Sequence, residues 1–407
     1  MKRVVVTGTG VMSPCGNDPA TFFANLLAAR SGIGRHSKKF DADTTPWLTA
    51  EVPPFSTEGF TKMRLGTLDR TTLLALLTAR QAMNDAKLEV REKSRAGVYW
   101  GTGLGGATTL DESYRLSLGN PAARVKPSTV VMTMNNAAAS EISLDTGFTG
   151  PTYTYSVACS SAAIGIGEAL RAIRNGYCDC AIAGGADALL TLGSLKAWHA
   201  LQTLAREDAE NPTTSCRPFA ADRSGFVLGE GAGAVVLEEA DSARARGATI
   251  YAELAGFGST SDASHITKPS AEGQARAMHM ALHDAGLAPE DIGYINAHGT
   301  ATAVGDVVET NAIKCVFGAA ARVPVSSTKA LHGHLMGATG VVEFIAALLA
   351  MRESVIPPTA HLHNPDPACD LDYVPNTARR VAPMRAVMSN SFAFGGNNAV
   401  LIATPFN

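Results

Sequence analysis

Valine-rich apolar runs alternate along the chain with alanine-rich segments in which apolar positions recur every three or four residues. The first pattern predicts buried β-strands, and the second predicts helices with a buried face. The predicted helices are Leu68–Ala86, Ala162–Arg174, Gly273–Ala285 and Gly340–Arg352. Strands that alternate with helices of this length predict an α/β protein built from stacked layers.

The order of these signals occurs twice. Each half opens with a glycine-rich β-run, continues with a strand, a small-residue turn and a long apolar helix, and closes with a strand, a Gly-Gly turn and a strand. The matching pairs are Val4–Thr9 with Ile250–Gly258, Thr152–Arg174 with Val323–Arg352, and Cys180–Leu190 with Ala386–Ile402. The repeat predicts two similar halves, residues 1–245 and 246–407, that share a core and meet at one cleft.

Composition narrows the class of protein only modestly. The 407 residues are 46% hydrophobic and 17% charged, with a formal net charge of −3, which gives no indication of nucleic-acid binding. The N-terminal apolar run is too short for a signal-peptide core. The longest lipid-like stretch, Val341–Met351, contains Glu343 and is shorter than the roughly 20 residues that a membrane span needs. We therefore expect a cytoplasmic protein whose seven cysteines are reduced.

One cysteine lies where a β-rich run changes into a helical pattern. Cys159 follows the predicted strand at Thr152 and precedes the helix that begins at Ala162. The positive end of the helix dipole and the unpaired N–H groups at a helix N-terminus favour thiolate over thiol. We predict that Cys159 is a nucleophile, although a cysteine in such a place is often only a small buried side chain.

Two histidines, His298 and His334, each come shortly after a short apolar run. Taken alone, either could be a satisfied histidine of the core. One cysteine and two histidines at predicted strand ends together indicate acyl transfer at a thioester.

Six motifs extend almost from end to end of the chain. They are Val157–Ser161, Arg217–Phe219 with Asp222–Gly233, Asn296–Thr300, Ser326–Lys329 with Gly333–Ala338, Cys369–Asn376, and Ser389–Asn398. In these motifs and their order the chain resembles the β-ketoacyl-acyl-carrier-protein synthases of the thiolase superfamily, closest to the elongating Cys-His-His type of the ketoacyl synthase II group. The resemblance implies the thiolase fold, a duplicated five-layer αβαβα sandwich with two mixed sheets. It also implies a homodimer in which the strand before Cys159 lies near the partner chain.

The resemblance implies a decarboxylative Claisen condensation that needs no cofactor. Cys159 would hold an acyl chain, and malonyl-acyl-carrier protein would lose carbon dioxide and attack it, giving 3-oxoacyl-acyl-carrier protein in fatty-acid elongation. His298 and His334 would each present an N–H to the malonyl thioester carbonyl. The N–H groups of Cys159 and Phe394 would stabilise the oxyanion of the acyl-transfer step.

Further roles follow from the resemblance alone. Lys329 and Glu343 would form a charged support for the two histidines. Phe394, with Phe392 and Gly395 in the same loop, would form a mobile gate.

Substrate contacts are predicted in two loops. Thr300 and Thr302 would contact the pantetheine arm of the carrier. The segment Gly101–Gly106 fits the Gly-x-Gly-x-x-Gly pattern of dinucleotide sites, but no acidic residue closes a second strand about 20 residues later. We expect a loop at the acyl pocket instead, where Leu104 would gate the tunnel for medium or long acyl chains.

An acidic carrier protein is attracted by basic residues at the tunnel mouth. The segments that supply such residues in the family here contain Lys62, Arg64, Arg124, Lys126 and Arg206. Each of these side chains could equally be only solvated.

Two His-x-His pairs raise the alternative of a metal site. They are His332 with His334 and His361 with His363. We predict no metal, because a ligand role would remove His334 from the malonyl site. The resemblance gives no role for His332.

Other functions occur on the same fold. A thiolase needs a second reactive cysteine in the C-terminal glycine-rich loop, and residues 392–396 contain none. A priming synthase would have asparagine in place of His334, and a non-catalytic chain-length partner would lack Cys159. A ketosynthase of a dedicated pathway, making a polyketide, an aryl polyene or a nodulation-type lipid, stays an alternative to fatty-acid elongation. The acyl chain and the cognate carrier protein stay open.

Overall fold

Strands and helices alternate along the chain, as the hydrophobic pattern predicts. The computed structural model describes residues 2–37, 40, 43, 45–120, 122–318 and 321–406. The strands are β1 (Val4–Met12), β2 (Ile33–Arg35), β3 (Leu48–Ala50), β4 (Ala96–Gly101), β5 (Thr152–Tyr155), β6 (Cys180–Asp187), β7 (Leu228–Gly229), β8 (Gly231–Glu239), β9 (Ala252–Ser261), β10 (Ile292–Asn296), β11 (Val325–Ser326), β12 (Val355–Ile356), β13 (Arg379–Arg380), β14 (Ala386–Phe392) and β15 (Asn397–Thr404). The helices are α1 (Pro19–Leu27), α2 (Lys62–Leu65), α3 (Arg70–Ala86), α4 (Ala107–Gly119), α5 (Thr129–Thr133), α6 (Ala137–Thr146), α7 (Ser161–Arg174), α8 (Leu192–Ala200), α9 (Ala240–Ala245), α10 (Ala271–Ala285), α11 (Gly305–Phe317), α12 (Lys329–His332) and α13 (Thr339–Glu353).

The strand order shows the duplication directly. The first half runs β5-β4-β6-β8-β1 across the sheet, and the second runs β11-β10-β14-β15-β9. In each half the first three strands of that order are parallel to one another, and the last two pair antiparallel. Two five-stranded units with the same order and the same directions are one topology used twice.

The two five-stranded mixed sheets are joined edge to edge into a single ten-stranded sheet. The adjoining edge strands, β1 and β9, pair antiparallel over two positions, Val5 with Glu253 and Val6 with Ala252. This short ladder satisfies the edge hydrogen-bonding groups of both units where they meet. Two small sheets, β2-β3-β7 and β12-β13, lie apart from it.

Five layers are visible in the packing. One hydrophobic cluster fills the space between the two units and includes α7 and α13, which pack against each other. Separate clusters bury α3 and α6 against the outside of the first unit and α10 and α11 against the outside of the second. Residues Thr339 to Met351 of α13 are all buried. The prediction of a buried helix here, in place of a membrane span, is confirmed, and no helix within the described residues is long and apolar enough to cross a bilayer.

The connection between the halves runs from β8 through α9 to β9. Helix α9 begins where the Glu239 carboxylate accepts a hydrogen bond from the N–H of Ser242, which caps its first turn. The boundary between residues 245 and 246 falls in this connection and stays a prediction.

Candidate active site

The sharp turn between β5 and α7 carries Cys159. A single 3₁₀ turn, Ala158–Ser160, joins the two elements, and Ala158 adopts a left-handed φ of 50°. The hydroxyl of Ser161 closes the turn, accepting from the N–H of Val157 at 2.9 Å and donating to the carbonyl of Ala158 at 2.6 Å. The turn therefore fixes Cys159 at the N-terminal end of α7, where the sequence predicted it.

The loops after β10 and β11 supply the two histidines. The N–H groups of His298 and Gly299 donate to the buried carboxylate of Glu309 at 2.9 and 2.7 Å, which anchors the first loop. The N–H of His334 donates to the carbonyl of Val227 at 2.7 Å, which ties the second loop to the segment before β7. Both histidines are thus held by the backbone as well as by packing.

Cys159, His298 and His334 converge. The Nε2 atom of His334 lies 3.0 Å from the Sγ of Cys159, and the two imidazole rings face each other edge to face with centroids 5.5 Å apart. In the described residues these three form the one cluster of histidine, cysteine or acidic side chains whose candidate ligand atoms lie within 4.8 Å of one another. They line a cavity of about 330 Å³ together with Thr300 and Thr302.

Burial makes the resting thiol neutral, which corrects the expectation of a favoured thiolate. The pKa of Cys159 is raised to about 12, chiefly because the sulfur is removed from water. The charge of Lys329 and the N–H groups of Phe394 and Cys159 act in the opposite direction, but they do not outweigh burial. The predicted N–H donors are present, and burial of the sulfur that they contact favours the neutral thiol.

Lys329 and Glu343 form a buried ion pair behind the histidines. The Nζ of Lys329 donates to Glu343 Oε1 at 2.6 Å and also to the carbonyl of His298. Burial, and after it the charge of Lys329, holds the pKa of both His298 and His334 well below the ordinary value. Burial raises the pKa of Glu343 to about 7 against the pull of Lys329. The arrangement keeps both imidazoles neutral.

We expect Glu343→Leu to destabilise the protein by about 3–5 kcal/mol, because it leaves the buried charge of Lys329 without its partner. Adding Lys329→Met to that variant is expected to recover most of the loss, since neither charge then remains. Urea denaturation of the single and double variants measures both effects. A single variant as stable as the wild type would contradict this account of the pair.

The loop after β14 carries the predicted gate. Phe394 stacks on Trp198 of α8 with ring centroids 6.1 Å apart, and Trp198 meets Phe226 edge to face at 5.5 Å. Phe392 lies edge to face with His298 at 6.2 Å. Gly395, at φ 84°, donates its N–H to the carbonyl of Ile266 at 2.7 Å and so ties this loop to a neighbouring one. No sequence motif assigned a role to Trp198. Its aromatic ring nevertheless lies at the cavity wall, where it can contact a substrate.

The predicted substrate contacts divide into two groups. Thr300 and Thr302 line the cavity, with their hydroxyl oxygens 3.1 Å apart. Leu104 does not line it, and its side chain is 55% exposed. The structure therefore brings the two threonines to the nucleophile and leaves the gating role of Leu104 a prediction.

The predicted carrier contacts lie outside the cavity. Lys126 reaches to 3.5 Å from the carbonyl of Gly66, which brings its segment beside α2 and Lys62. Arg64 pairs with Glu141, so part of the positive charge in this region is already neutralised. Arg124 and Arg206 are exposed, and the backbone of Arg206 bonds to Ser224 at the cavity wall.

The extra histidine of the first His-x-His pair, His332, has structural surroundings. His332 is buried, with Nδ1 2.8 Å from the carbonyl of Gly333 and Nε2 2.9 Å from the hydroxyl of Thr328. Burial lowers its pKa to about 3, so this ring is neutral. Both nitrogens are satisfied without a metal, which answers what His332 does in the loop. The positive charge of Lys329 disfavours a metal ion at the cluster of Cys159 and the two histidines. The same charge lowers the pKa of both imidazole rings.

Comparison with known proteins agrees with this geometry. The model described as "Beta-ketoacyl synthase, N-terminal domain" matches residues 1–243, and "Beta-ketoacyl synthase, C-terminal domain" matches residues 251–363. The chain is 43% identical to 3-oxoacyl-[acyl-carrier-protein] synthase 2 of Staphylococcus aureus (strain COL), covering 100% of this chain and 99% of that protein. It is 42% identical to nodulation protein E of Rhizobium sp. (strain N33), covering 98% of each.

Solved structures give the same result. A β-ketoacyl synthase from Burkholderia phymatum STM815 superposes with a TM-score of 0.92 at 36% identity over 100% of both chains. The ishigamide ketosynthase/chain length factor superposes with a TM-score of 0.92 at 35% identity, also over 100% of both. These superpositions show the thiolase fold predicted from the sequence.

Proposed function

Because this chain belongs to the β-ketoacyl synthase family, we propose that it condenses an acyl thioester held on Cys159 with malonyl-acyl-carrier protein, as an acyltransferase of fatty-acid elongation. The observation that carries the proposal is the convergence of one thiol and two neutral imidazoles on a single cavity. A neutral imidazole can donate an N–H to a developing enolate oxygen.

In the first half-reaction the sulfur of Cys159 attacks the acyl carbonyl. The new Sγ–C bond forms, the bond from that carbon to the carrier's pantetheine sulfur breaks, and the proton of the Cys159 thiol ends on the departing carrier thiol. The N–H groups of Cys159 and Phe394, which already point to the sulfur, are in place to stabilise the oxyanion.

In the second half-reaction the bond between the malonyl carboxylate and its α-carbon breaks and releases carbon dioxide. The electron pair moves into the thioester enolate, whose oxygen accepts hydrogen bonds from His298 and His334. The enolate carbon then attacks the acyl carbon on Cys159, the bond from that carbon to Sγ breaks, and the released thiolate takes up a proton from solvent. The Thr339 hydroxyl lies 2.9 Å from Nδ1 of His334, and donation to Nδ1 leaves the ring proton on Nε2, where this step needs it.

The carrier approaches from the cavity mouth in this proposal. Thr300 and Thr302 contact its pantetheine arm. The basic side chains of Lys62 and Lys126 attract its acidic surface. The structure of AntDE:AntF, a type II polyketide acyl-carrier protein in complex with its ketosynthase, superposes with a TM-score of 0.91 at 30% identity over 100% of both chains. All seven cysteines are free thiols, which supports a reducing cytoplasmic setting.

A dedicated lipid or polyketide pathway is the second candidate. The identity to nodulation protein E, 42%, is almost the same as the identity to 3-oxoacyl-[acyl-carrier-protein] synthase 2, 43%.

Incubation with acyl-carrier and malonyl-carrier proteins tests the proposed condensation, with equal release of carbon dioxide and 3-oxoacyl product expected. Carbon dioxide without product, or neither from folded enzyme with any carrier, would count against the proposed condensation.

We also propose that two copies of the chain pair through β5. This strand lies at the edge of the sheet, and its pairing with β4 uses the carbonyls of Pro151 and Tyr155. The two-residue period of a strand turns the backbone groups of Thr152 and Thr154 outward. Helix α6 packs beside β5, α5 packs on α6, and α4 packs on α5. This region exposes apolar side chains. These are Leu116, Leu118, Val125, Val130, Val131 and Met134.

An unpaired edge beside an exposed apolar surface fits a second copy of the same strand. We expect Tyr153→Asp, on β5 at 57% exposure, to shift the protein from the mass of two chains to that of one. Met280→Asp, at 43% exposure on α10 of the second half, is the control that should leave the mass unchanged. Light scattering after size exclusion measures both, and a monomeric wild type would instead favour an unlike partner chain.

A further inference from the structure

The carboxylate of Asp187 is the hub of a buried network beneath the site. Asp187 ends β6 and has no exposed surface. Its oxygens accept from the hydroxyl of Thr102 at 2.9 Å and from the N–H groups of Gly103 at 2.8 Å, Leu104 at 3.4 Å and Gly337 at 2.6 Å. None of the reaction steps above uses this group.

The network joins the two halves of the chain. Thr102, Gly103 and Leu104 follow β4 in the first half, and Gly337 lies three positions after His334 in the second. A side-chain carbon on Gly337 would come within 2.7 Å of the Asp187 carboxylate and 2.5 Å of the Gly103 nitrogen. Direct backbone contact therefore requires glycine at this point of the histidine turn.

All four partners donate, so the central group must only accept. An ionised carboxylate does this, whereas an amide would direct an N–H₂ group at one pair of donors. The negative charge has a cost, because it raises the pKa of Cys159 while Lys329 lowers it. The Asp187 carboxylate disfavours the thiolate of Cys159, yet it is held by four hydrogen bonds. We conclude that its role is to hold the surrounding backbone in position.

We propose that Asp187 is a positioning residue that fixes the turn of His334 against the strand ends flanking Cys159, a role that rests on the proposed condensation. Within the Gly101–Gly106 loop, the N–H groups of Gly103 and Leu104 donate to Asp187 and that of Gly105 donates to the Thr102 hydroxyl. Those amides are consequently not available to a nucleotide phosphate, which explains why the glycine pattern here does not mark a dinucleotide site.

Two variants separate the position of the turn from the charge. Asp187→Asn removes the charge and part of the acceptor set, and Gly337→Ala displaces the turn while the charge stays. We expect condensation to fall in both, by up to about 10²-fold for a displacement near 1 Å. Alkylation of Cys159 by iodoacetamide is expected to accelerate in Asp187→Asn only, because loss of the carboxylate charge lowers the pKa of the thiol.

The alkylation is followed by peptide mass spectrometry in a Cys315→Ser background, since Cys315 is the exposed cysteine. Glu238→Gln is the matched control, because Glu238 is a buried carboxylate of the same half that pairs with Arg246 away from the cavity. Unchanged condensation in either variant, no faster alkylation of Cys159 in Asp187→Asn, or equally faster alkylation of the other buried cysteines would each overturn the proposal. A wild type that fails to condense would instead contradict the proposed function. The rates of Cys159 alkylation in the wild type and the variants could still be compared in that case.

Discussion

Replacement of Cys159 by glutamine is expected to abolish condensation while decarboxylation of malonyl-acyl-carrier protein persists. Condensation requires a sulfur that can hold the acyl chain, and an amide cannot do so. The amide of glutamine does imitate an acylated cysteine in shape and polarity, and it leaves the N–H donors of His298 and His334 in place. The two activities should therefore separate completely in this variant.

Carbon dioxide release and 3-oxoacyl product are measured side by side for this test. Cys315→Gln is the control, because Cys315 lies exposed on α11 and should tolerate the change with both activities intact. Loss of both activities in folded Cys159→Gln protein would contradict the assignment of decarboxylation to the histidines.

The second large effect is expected in His298→Ala, which should slow decarboxylation by ~10²–10³-fold while acyl transfer to Cys159 is largely spared. His298 provides a neutral imidazole for the enolate, and its ring is not the one in contact with the sulfur. His334→Ala should lose decarboxylation to a similar extent and acyl transfer to a smaller one, because its Nε2 lies 3.0 Å from the Sγ of Cys159.

Single-turnover acylation and decarboxylation rates separate the two steps. His332→Asn is a useful comparison, because His332 is also a buried histidine whose nitrogens bond only to Thr328 and Gly333. It should lower stability without a preference for either step. Equal loss of acylation and decarboxylation in both His298→Ala and His334→Ala would rule out the proposed division of labour.

Much of the fold follows from hydrophobic period alone. The four predicted helices agree with α3, α7, α10 and α13 to within two residues at each end. The predicted start at Leu68 is two residues early, because the side chain of Asp69 accepts from the N–H of Thr71 and caps α3 there. The repeated order of signals likewise predicted two halves with one topology. The β1–β9 ladder was not predictable, since two paired positions leave no mark in the sequence.

The site was predictable where a local motif carries the chemistry. Cys159, His298 and His334 each lie in such a motif, and the structure brings them together as expected. Asp187 and Glu309 were missed, because a buried acid is recognised by its hydrogen-bond partners, which lie as far as 150 positions away for Asp187 and which for Glu309 are mainly backbone N–H groups that carry no sequence signal. Asp187 is 150 positions from Gly337.

The state of the thiol also depends on the whole fold. The helix N-terminus near Cys159 is visible in the sequence, but the burial that overrides its effect on the pKa comes from packing of both halves. The local sequence therefore predicts the position of Cys159, whereas the direction of its pKa shift depends on burial by the whole fold.

The most direct test of the account is intact mass spectrometry of the wild type and Cys159→Ala after incubation with acyl-carrier proteins that bear short to long chains. We predict a mass gain in the wild type that follows the chain length of the accepted acyl group and is absent in Cys159→Ala. Persistence of the adduct in Cys159→Ala, or no acylation of folded wild type by any carrier, would contradict the assignment of Cys159 as the residue that holds the acyl chain.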